Sequence, residues 1–253
     1  MTRYFIELAY NGAAYHGWQV QLNGITVQEK LEDAFHKATQ QTIAITGCGR
    51  TDTGVHASYF VAHFDLELPL IDPIPVMEKV NRILPHDIVV KSIQEVGEEA
   101  HSRFSAISRR YEYWLILQKN PFLEGYAWVS RTTPDFDLMN RAAEILMTYS
   151  DFTSFSKLHG NAKTNICRID YARWEKIGDK WVFTIQADRF LRNMVRAVVG
   201  TLLDVGRGKM SLDEFIAVIE RKNRCEAGMS VPAHALYLVD VVYPEQMFQK
   251  KCD

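Results

Sequence analysis

A glycine-rich loop at residues 47–57 carries the side chains of this sequence that are best suited to chemistry. Arg50 lies two residues before Asp52, and His56 lies four residues after it. The glycines around them permit positive φ angles and a close approach of the backbone to a ligand. An aspartate in such a loop is also typical of a hairpin with an Asx-turn, so a catalytic and a structural interpretation both stay open here. The G-K-S/T ending of a phosphate-binding Walker loop is absent.

The segment 189–204 is a second candidate, because its pattern predicts a helix with a basic face. Arg189, Arg192 and Arg196 would lie on one side of that helix. Three arginines in one row repel one another unless anions or carboxylates lie opposite. Phosphates or a buried aspartate would meet this need with bidentate hydrogen bonds. Apolar side chains run along the other side and are predicted to be core: Phe190, Met194, Val198 and Leu202.

Aromatic side chains alternate along a predicted strand at 110–117, directly after Arg109. Alternation places Tyr111 and Tyr113 on one face and Trp114 on the other. Aromatic strands usually belong to the core. Aromatic rings beside arginines also stack on unpaired bases, and this segment alone does not decide between the two interpretations.

Several kinds of chemistry lack their motifs. The sequence contains no H-E-x-x-H motif, so we expect no metal site. The absence of a G-x-S-x-G elbow and of a cysteine nucleophile motif argues against serine or thiol acyl transfer. No C-x-x-C pair occurs, which argues against a zinc site and a disulfide framework. We expect four reduced thiols: Cys48, Cys167, Cys225 and Cys252.

Length and composition indicate a globular protein with a sizeable core. The chain has 253 residues, of which 47% are hydrophobic and 24% are charged. No apolar run approaches the roughly 20 residues that span a bilayer. The N-terminus enters a predicted strand at once and has no signal-peptide layout, so we expect a cytoplasmic protein.

Charge is distributed unevenly along the chain. The formal net charge is only −2, which by itself argues mildly against a nucleic-acid partner. Residues 1–100, however, contain 7 basic and 13 acidic side chains, and residues 157–210 contain 11 basic and 5 acidic ones. A local positive field can recruit a polyanion although the whole chain is near neutral. A solvated basic face is the competing interpretation.

The element order predicts an α+β protein made of two related βαββαβ halves. Thr26 and Glu29 form a capping box before the first predicted helix, and Ser211 and Glu214 form another before the last. We expect antiparallel or mixed sheets flanked by helices, with halves at 1–100 and 101–253 and a linker at 96–108. The predicted strands are 3–10, 42–47, 59–65, 88–94, 110–117, 164–176, 180–187 and 235–242. The other predicted helices are 75–83, 137–147, 189–204 and 212–221.

Short segments along nearly the whole chain resemble the tRNA pseudouridine synthase A family, in the family's order. The loop at 49–57 resembles the family's signature loop and is highly specific. Ser150, where His is expected, and Ala235, where Gly is usual, depart from the pattern. The remaining matching motifs are Tyr10-Asn11-Gly12, Gly17-Trp18-Gln19, Thr26-Val27-Gln28, Arg103-Phe104-Ser105-Ala106, Arg110-Tyr111-Glu112-Tyr113, Asp151-Phe152-Thr153-Ser154-Phe155, Met194-Val195-Arg196 and Leu236-Tyr237-Leu238.

This resemblance implies the pseudouridine synthase fold, with the active-site cleft between the halves, and an isomerase that needs no cofactor and no metal. The family converts uridine to pseudouridine at positions 38, 39 and 40 of the tRNA anticodon stem-loop. It acts as a homodimer with RNA bound across both subunits. By position, Asp52 matches the catalytic aspartate and Tyr111 the tyrosine that packs on the base. Arg196 matches the basic partner of the aspartate, and Arg50 matches the arginine associated with opening the stem.

The reaction itself requires residues of these types. It breaks the C1′–N1 bond, turns the uracil, joins C5 to C1′ and removes H5. An ionised carboxylate can attack C1′ or the base, and one carboxylate suffices because no water enters. A neighbouring arginine would stabilise the ionised form, which gives Arg196 a physical role. The phenol of Tyr111 is a candidate acceptor for H5.

Further side chains are expected to contact the RNA, and two other functions stay open. One alternative is a pseudouridine synthase for another RNA, and the other is a non-catalytic RNA-binding protein on the same fold. A phosphate-ester hydrolase would need metal ligands that the sequence lacks. The expected RNA contacts, besides Arg50 and Tyr111, are His56, Arg109, Arg110, Lys157, Lys163, Arg168, Arg189, Arg192 and Leu236.

Overall fold

The computed structural model describes residues 1–157 and 163–248. The described residues form nine strands and five α-helices, which confirms the predicted α+β class. The described residues divide into two compact units, residues 1–107 with 238–248, and residues 108–157 with 163–237. This division places residues 101–107 and most of the last strand with the first unit, unlike the division predicted at residue 100.

The first unit is built on an antiparallel sheet with β1 between β3 and β4. β2 pairs with β3 for two residues, and β9 lies on the other side of β3 from β1. Two helices accompany these strands. The bounds are β1 Thr2–Tyr10, α1 Val27–Thr39, β2 Thr46–Gly47, β3 His56–Leu66, α2 Pro73–Ile83, β4 Ile88–Val96 and β9 Leu236–Val242.

Local sequence signals account for the helix starts of this unit. The predicted capping box at α1 is present, because the Thr26 hydroxyl accepts from the Glu29 amide and the Glu29 carboxylate accepts in return. Asp72 caps α2, and Pro73 occupies its first turn, where a missing N–H costs nothing. Fixing these orphan amides stabilises a helix by about 1 kcal/mol per cap.

The second unit is a mixed sheet with helices. β8 lies between β5 and β7 in antiparallel register, and β6 pairs with β5 in parallel. The turn at Gly178 and Asp179 joins β7 to β8, as predicted, with Gly178 at a φ of 57°. The bounds are β5 Ser108–Ile116, β6 Trp128–Val129, α3 Phe136–Leu146, β7 Ile169–Ile177, β8 Lys180–Ala187, α4 Met194–Gly206 and α5 Leu212–Glu220.

The strand predicted at 42–47 is wrong except for its last two residues. Ile45 is buried, but its backbone groups bond to side chains of α1 instead of a neighbouring strand. Its amide donates to the Glu32 carboxylate at 2.9 Å, and its carbonyl accepts from the Gln28 amide at 3.0 Å. The alternating apolar residues before β2 are therefore buried without pairing with a neighbouring strand.

The helix predicted at 189–204 begins later, at Met194, which corrects the predicted basic face. Asn193 has a left-handed backbone with a φ of 65°, so the preceding residues cannot continue the helix. Arg189 and Arg192 therefore precede α4, and Arg196 is the one member of the predicted row that lies on it. Three of the four apolar side chains are buried on α4 as predicted: Met194, Val198 and Leu202.

The segment predicted to be a linker, 96–108, has no regular element between β4 and β5 and packs into the first unit. Ser102 is fully buried, and its hydroxyl donates to the Thr46 carbonyl at 2.8 Å. The Tyr243 hydroxyl donates to the Ser102 carbonyl. Ser102 therefore anchors this segment to the core of the unit.

His63 on β3 gives this core a dependence on pH. The Ser102 amide donates to His63 Nδ1 at 3.2 Å, so a proton on Nδ1 would be placed against this N–H group. Burial, with smaller contributions from His101 and Arg3, lowers the pKa of His63 to about 4.

We expect the free energy of unfolding to fall as the pH drops from 7.5 to 5. The unfolded chain takes up a proton near pH 6.5 while the folded chain resists it down to about pH 4. This difference amounts to at most about 2 kcal/mol at pH 5. Urea unfolding across this range measures it, and His63→Gln should flatten the slope. An equal slope in both proteins would contradict the assignment.

Candidate active site

The loop at 48–55 joins β2 to β3 and presents Asp52 at its tip. Asp52 is half-buried and Arg50 is exposed. The Val55 amide donates to the Asp52 carbonyl at 3.1 Å, which closes the turn around this residue. The loop is therefore ordered by its own hydrogen bonds at the position of the carboxylate.

Residues 10–18 hold this loop from outside. The Trp18 amide donates to the Thr51 carbonyl at 3.3 Å, and the Gly54 amide donates to the Tyr15 carbonyl at 3.3 Å. The Tyr10 hydroxyl lies 2.9 Å from the Thr51 hydroxyl. The opening motifs of the sequence thus fix the residues on both sides of Asp52.

Two glycines permit this close packing. A Cβ at Gly12 would lie 1.9 Å from the Val55 carbonyl oxygen. A Cβ at Gly17, whose φ is 90°, would lie 2.4 Å from the Thr51 carbonyl oxygen. Any side chain at either position would displace the backbone of the Asp52 loop.

His56 begins β3 and is buried at 2% exposure. Its Nδ1 accepts a hydrogen bond from the Gly12 amide at 3.0 Å. This contact requires an unprotonated Nδ1, so the neutral imidazole carries its proton on Nε2. The ring therefore ties the glycine at 12 to the end of the loop.

A cavity of about 120 Å³ lies beside Arg50 in the first unit. Gln19, Gln28 and Arg103 also line it. The neighbouring Phe104 is 76% exposed, with the Arg103 guanidinium 5.6 Å from its ring centre. These four residues are not among the predicted RNA contacts, although all of them belong to the motifs that resemble the family. Their positions in these motifs were the signal that could have identified them.

The two tyrosines of β5 have different environments. Tyr113 is fully buried and donates to the Pro232 carbonyl at 3.1 Å. Burial raises its pKa, and the Arg196 guanidinium opposes this effect. Tyr111 is half-buried, and its ring meets the edge of Phe190 at 5.0 Å between centres. Tyr113 is therefore core, and Tyr111 is the tyrosine of the pair whose ring is suited to stacking.

Arg196 lies in the first turn of α4 and is held there by the chain that precedes β9. Its Nε donates to the Val231 carbonyl at 2.7 Å, and the Val231 amide donates to its carbonyl at 3.2 Å. The Asn193 side chain donates to the Ser230 hydroxyl at 2.6 Å. These contacts orient the guanidinium before any ligand is bound.

Several predicted RNA contacts gather around Asp188. The Asp188 carbonyl accepts from Arg109 at 2.9 Å. The Asp188 carboxylate accepts from the amides of Arg168 and Arg189 at 2.8 and 2.7 Å. Arg110 instead donates to the Gln186 side chain.

The other predicted contacts lie elsewhere in the chain. The Lys157 amide donates to the Arg192 carbonyl at 3.1 Å, and both side chains are exposed. Lys163 is exposed as well. Leu236 is 5% exposed at the start of β9, so its side chain is part of the core in this conformation.

The described residues offer little for metal or thiol chemistry. Within residues 1–157 and 163–248, no group of three His, Cys, Asp or Glu side chains could hold a metal ion. Cys167 and Cys225 are free thiols, Cys48 is buried, and Cys252 lies outside the described residues. Burial raises the pKa of Cys167 to about 12, so it carries no thiolate at neutral pH. In the same part of the chain, no helix is long and apolar enough to cross a membrane.

Known proteins match this chain in both of its units. A family model described as tRNA pseudouridine synthase matches residues 8–105 and 142–244. The chain belongs to the tRNA pseudouridine synthase family. It is 54% identical over 248 residues to the tRNA pseudouridine synthase A of Parabacteroides distasonis, covering 98% of each chain. The protein of the same name from Thermoanaerobacter pseudethanolicus is 38% identical over 247 residues, covering 96% of this chain and 100% of the other.

Membership of the tRNA pseudouridine synthase family confirms the resemblance seen in the motifs. Pseudouridine synthases are isomerases, so the predicted reaction class is confirmed too. The first matched segment includes the whole Asp52 loop and the residues that hold it, and the second includes Arg196. Tyr111 lies between the two segments and is covered by the full-length relatives.

Proposed function

We propose that this enzyme isomerises uridine to pseudouridine at positions 38, 39 and 40 of the tRNA anticodon stem-loop, with Asp52 as the nucleophile. The observation that supports the role of Asp52 is the construction of its loop. Gly12, Gly17 and His56 all fix the backbone around one half-buried carboxylate. A loop serving only as a hairpin connection would not need such exact contacts on both sides.

Asp52 acts on a target uridine that has left the stack. Its ionised carboxylate forms a bond to C1′ or to the base while the C1′–N1 bond breaks. The detached uracil turns, C5 joins C1′, the aspartate leaves and H5 is lost as a proton, while N1, released from the sugar, takes up a proton. The reaction consumes no water and requires no cofactor. Loop rigidity contributes because a nucleophile held near its attack position avoids an entropy cost at the moment of reaction.

Arg50 and its cavity are suited to opening the stem. Flipping a paired or stacked uridine costs a few kcal/mol. An exposed guanidinium can occupy the vacated space and stack on the neighbouring bases. Arg103 and the exposed ring of Phe104 add a charge and a stacking surface near the same cavity. His56 serves this region as a positioning residue, since it is buried.

Tyr111 and Arg196 contribute to the same reaction from the second unit. The half-buried ring of Tyr111 packs on the flipped uracil, and its hydroxyl accepts H5. Arg196, oriented by Val231, stabilises the ionised aspartate and the charge that develops during bond breaking.

Tyr111→Phe separates stacking from proton transfer. The ring remains and the phenol is lost, so we expect tRNA affinity to stay constant and turnover to fall by about 10²-fold or more. Single-turnover conversion together with filter binding measures both quantities. Full turnover by this variant would exclude the phenol as the base. Tyr111→Leu is the matched variant, and it should lose affinity as well.

The basic side chains around Asp188 predict binding that depends on salt. Each phosphate neutralised by a cation releases a counterion, so the tRNA affinity should fall with increasing salt. For about three contacts, the expected loss between 50 and 200 mM salt is about 40-fold. Affinity that stays constant over this range would exclude this surface as the RNA interface.

The enzyme acts in the cytoplasm as a homodimer, with tRNA across both subunits. This proposal rests on the family resemblance. A molar mass of one chain in solution, unchanged by tRNA, would contradict it.

Substrates with single uridines test the proposed positions. One tRNA transcript has cytidine at positions 38, 39 and 40, and three others restore uridine at one position each. Pseudouridine should form only in the three restored transcripts. Conversion elsewhere in the tRNA would assign a different target, and binding of every transcript without conversion would indicate a non-catalytic RNA-binding protein.

A further inference from the structure

A second basic cavity lies in the second unit and takes no part in the proposed chemistry. Its volume is about 650 Å³, within the range of small-molecule sites. Three cationic side chains line it, Arg131, Arg207 and Lys209, and no carboxylate does. Trp128 and Thr132 complete the part of the wall that matters here.

The cavity is at the opposite end of the unit from Tyr111 and Arg196. Trp128 pairs with Leu115, which is four residues along β5 from Tyr111, or about 13 Å at the rise of a strand. Arg207 follows Arg196 by eleven residues, or about 16 Å along α4. The cavity is therefore separate from the residues that would hold the target base.

Arg207 is poised for a ligand. Its guanidinium lies 5.5 Å from the centre of the Trp128 ring, a cation–π arrangement. Its Nε is buried and has no hydrogen-bond partner among the described residues. Arg207 therefore holds a positive charge against the aromatic part of the cavity wall.

Capping of α4 does not account for these cations. Basic side chains near a helix C-terminus commonly bond to the last carbonyls. Here the guanidinium of Arg207 packs over an aromatic ring instead, and its buried Nε donates to no carbonyl. Arg131 belongs to the segment after β6, not to α4.

The geometry points to a nucleotide site, in which the tryptophan region receives a base and the three cations receive its phosphate. An aromatic ring beside guanidinium groups matches a planar base next to an anion. Because the proposed function supplies a large RNA substrate, the nucleotide belongs to tRNA outside the reacting segment. A free nucleotide shares this chemistry and is distinguished by the test. The inference rests on the proposed function.

The charge variant Arg131→Glu/Lys209→Glu tests this site, because both side chains are exposed and their loss should not unfold the protein. Arg141→Glu/Lys176→Glu is the matched control, with the same change of charge on exposed residues outside the cavity. Affinity is measured for full-length tRNA, for an isolated anticodon stem-loop and for uridine 5′-monophosphate. Turnover on the stem-loop checks that the reaction itself is intact.

We expect the charge variant to bind full-length tRNA at least about 10-fold more weakly than the control, with a salt slope lower by about 1–2. Affinity and turnover for the stem-loop should match the control. Loss of nucleotide monophosphate binding alone would assign the site to a free nucleotide. The inference would be overturned if the charge variant and the control bound each of the three ligands equally well. If the wild-type enzyme did not convert the stem-loop at all, the proposed function would be contradicted instead.

Trp128→Leu and Trp128→Phe test the aromatic wall. The Phe variant keeps a ring for stacking and should keep most of the affinity for full-length tRNA, whereas the Leu variant should lose about as much as the charge variant. Equal affinity of the Leu and Phe variants would overturn the assignment of a base to this wall. The charge variant decides the question by itself if Trp128→Leu does not fold.

Discussion

Asp52→Asn should abolish turnover and leave tRNA binding intact. The amide has nearly the size of the carboxylate, so the contacts of the loop at Thr51 and Val55 remain. It cannot form the bond to C1′ or the base, and we expect turnover to fall by at least about 10³-fold. The affinity for tRNA should stay equal or rise, because the variant removes a negative charge near phosphates.

Asp33→Asn is the matched control for this experiment. Asp33 is exposed on α1, where it pairs with Lys37 at 2.7 Å. An exposed pair of this kind stabilises a helix by about 0.3–0.5 kcal/mol, so the control should fold and react as the wild type does. Equal turnover of Asp52→Asn and Asp33→Asn would show that Asp52 is not the nucleophile.

Gly12→Ala should have the second largest effect, although residue 12 has no side chain and no proposed contact with RNA. A Cβ there would lie 1.9 Å from the Val55 carbonyl oxygen, so the backbone of the Asp52 loop must move. A displacement of about 1 Å can cost about 10²-fold in rate. We expect turnover to fall by about that factor, and the free energy of unfolding to fall by about 1–3 kcal/mol.

Gly97→Ala is the control for Gly12→Ala. Gly97 lies outside the loop, and a Cβ there would meet nothing within 4 Å. Turnover and urea unfolding should match the wild type in this variant. Loss of stability in Gly12→Ala with normal turnover of the folded fraction would contradict the claim that residue 12 positions Asp52.

Local signals in the sequence were enough to predict most of the fold. The capping boxes at Thr26 and Ser211 and the turn at Gly178 act within a few residues, so their outcome depends little on the rest of the chain. The start of α4 was not predictable in this way. Asn193 adopts a left-handed backbone while its side chain bonds to Ser230, which is 37 residues away.

The prediction of the site rests on a different kind of signal. Motif resemblance indicated Asp52, Tyr111 and Arg196, but it did not indicate how they are held. The contact of the Gly12 amide with His56 joins positions 44 residues apart, and no periodic pattern reports it. Such contacts depend on tertiary packing. For this reason His56 was expected to contact RNA, whereas its burial suits a positioning role.

The most direct test of an isomerase follows C5 of uridine in tRNA labelled there with tritium. Isomerisation by this account releases one tritium for each pseudouridine formed, because H5 is lost when C5 joins C1′. It produces no free uracil and no abasic site, since the base never leaves the enzyme. Tritium release should equal pseudouridine formation and should map to the anticodon arm. Free uracil in place of pseudouridine would show a hydrolase, and binding of tRNA without tritium release would contradict the account altogether.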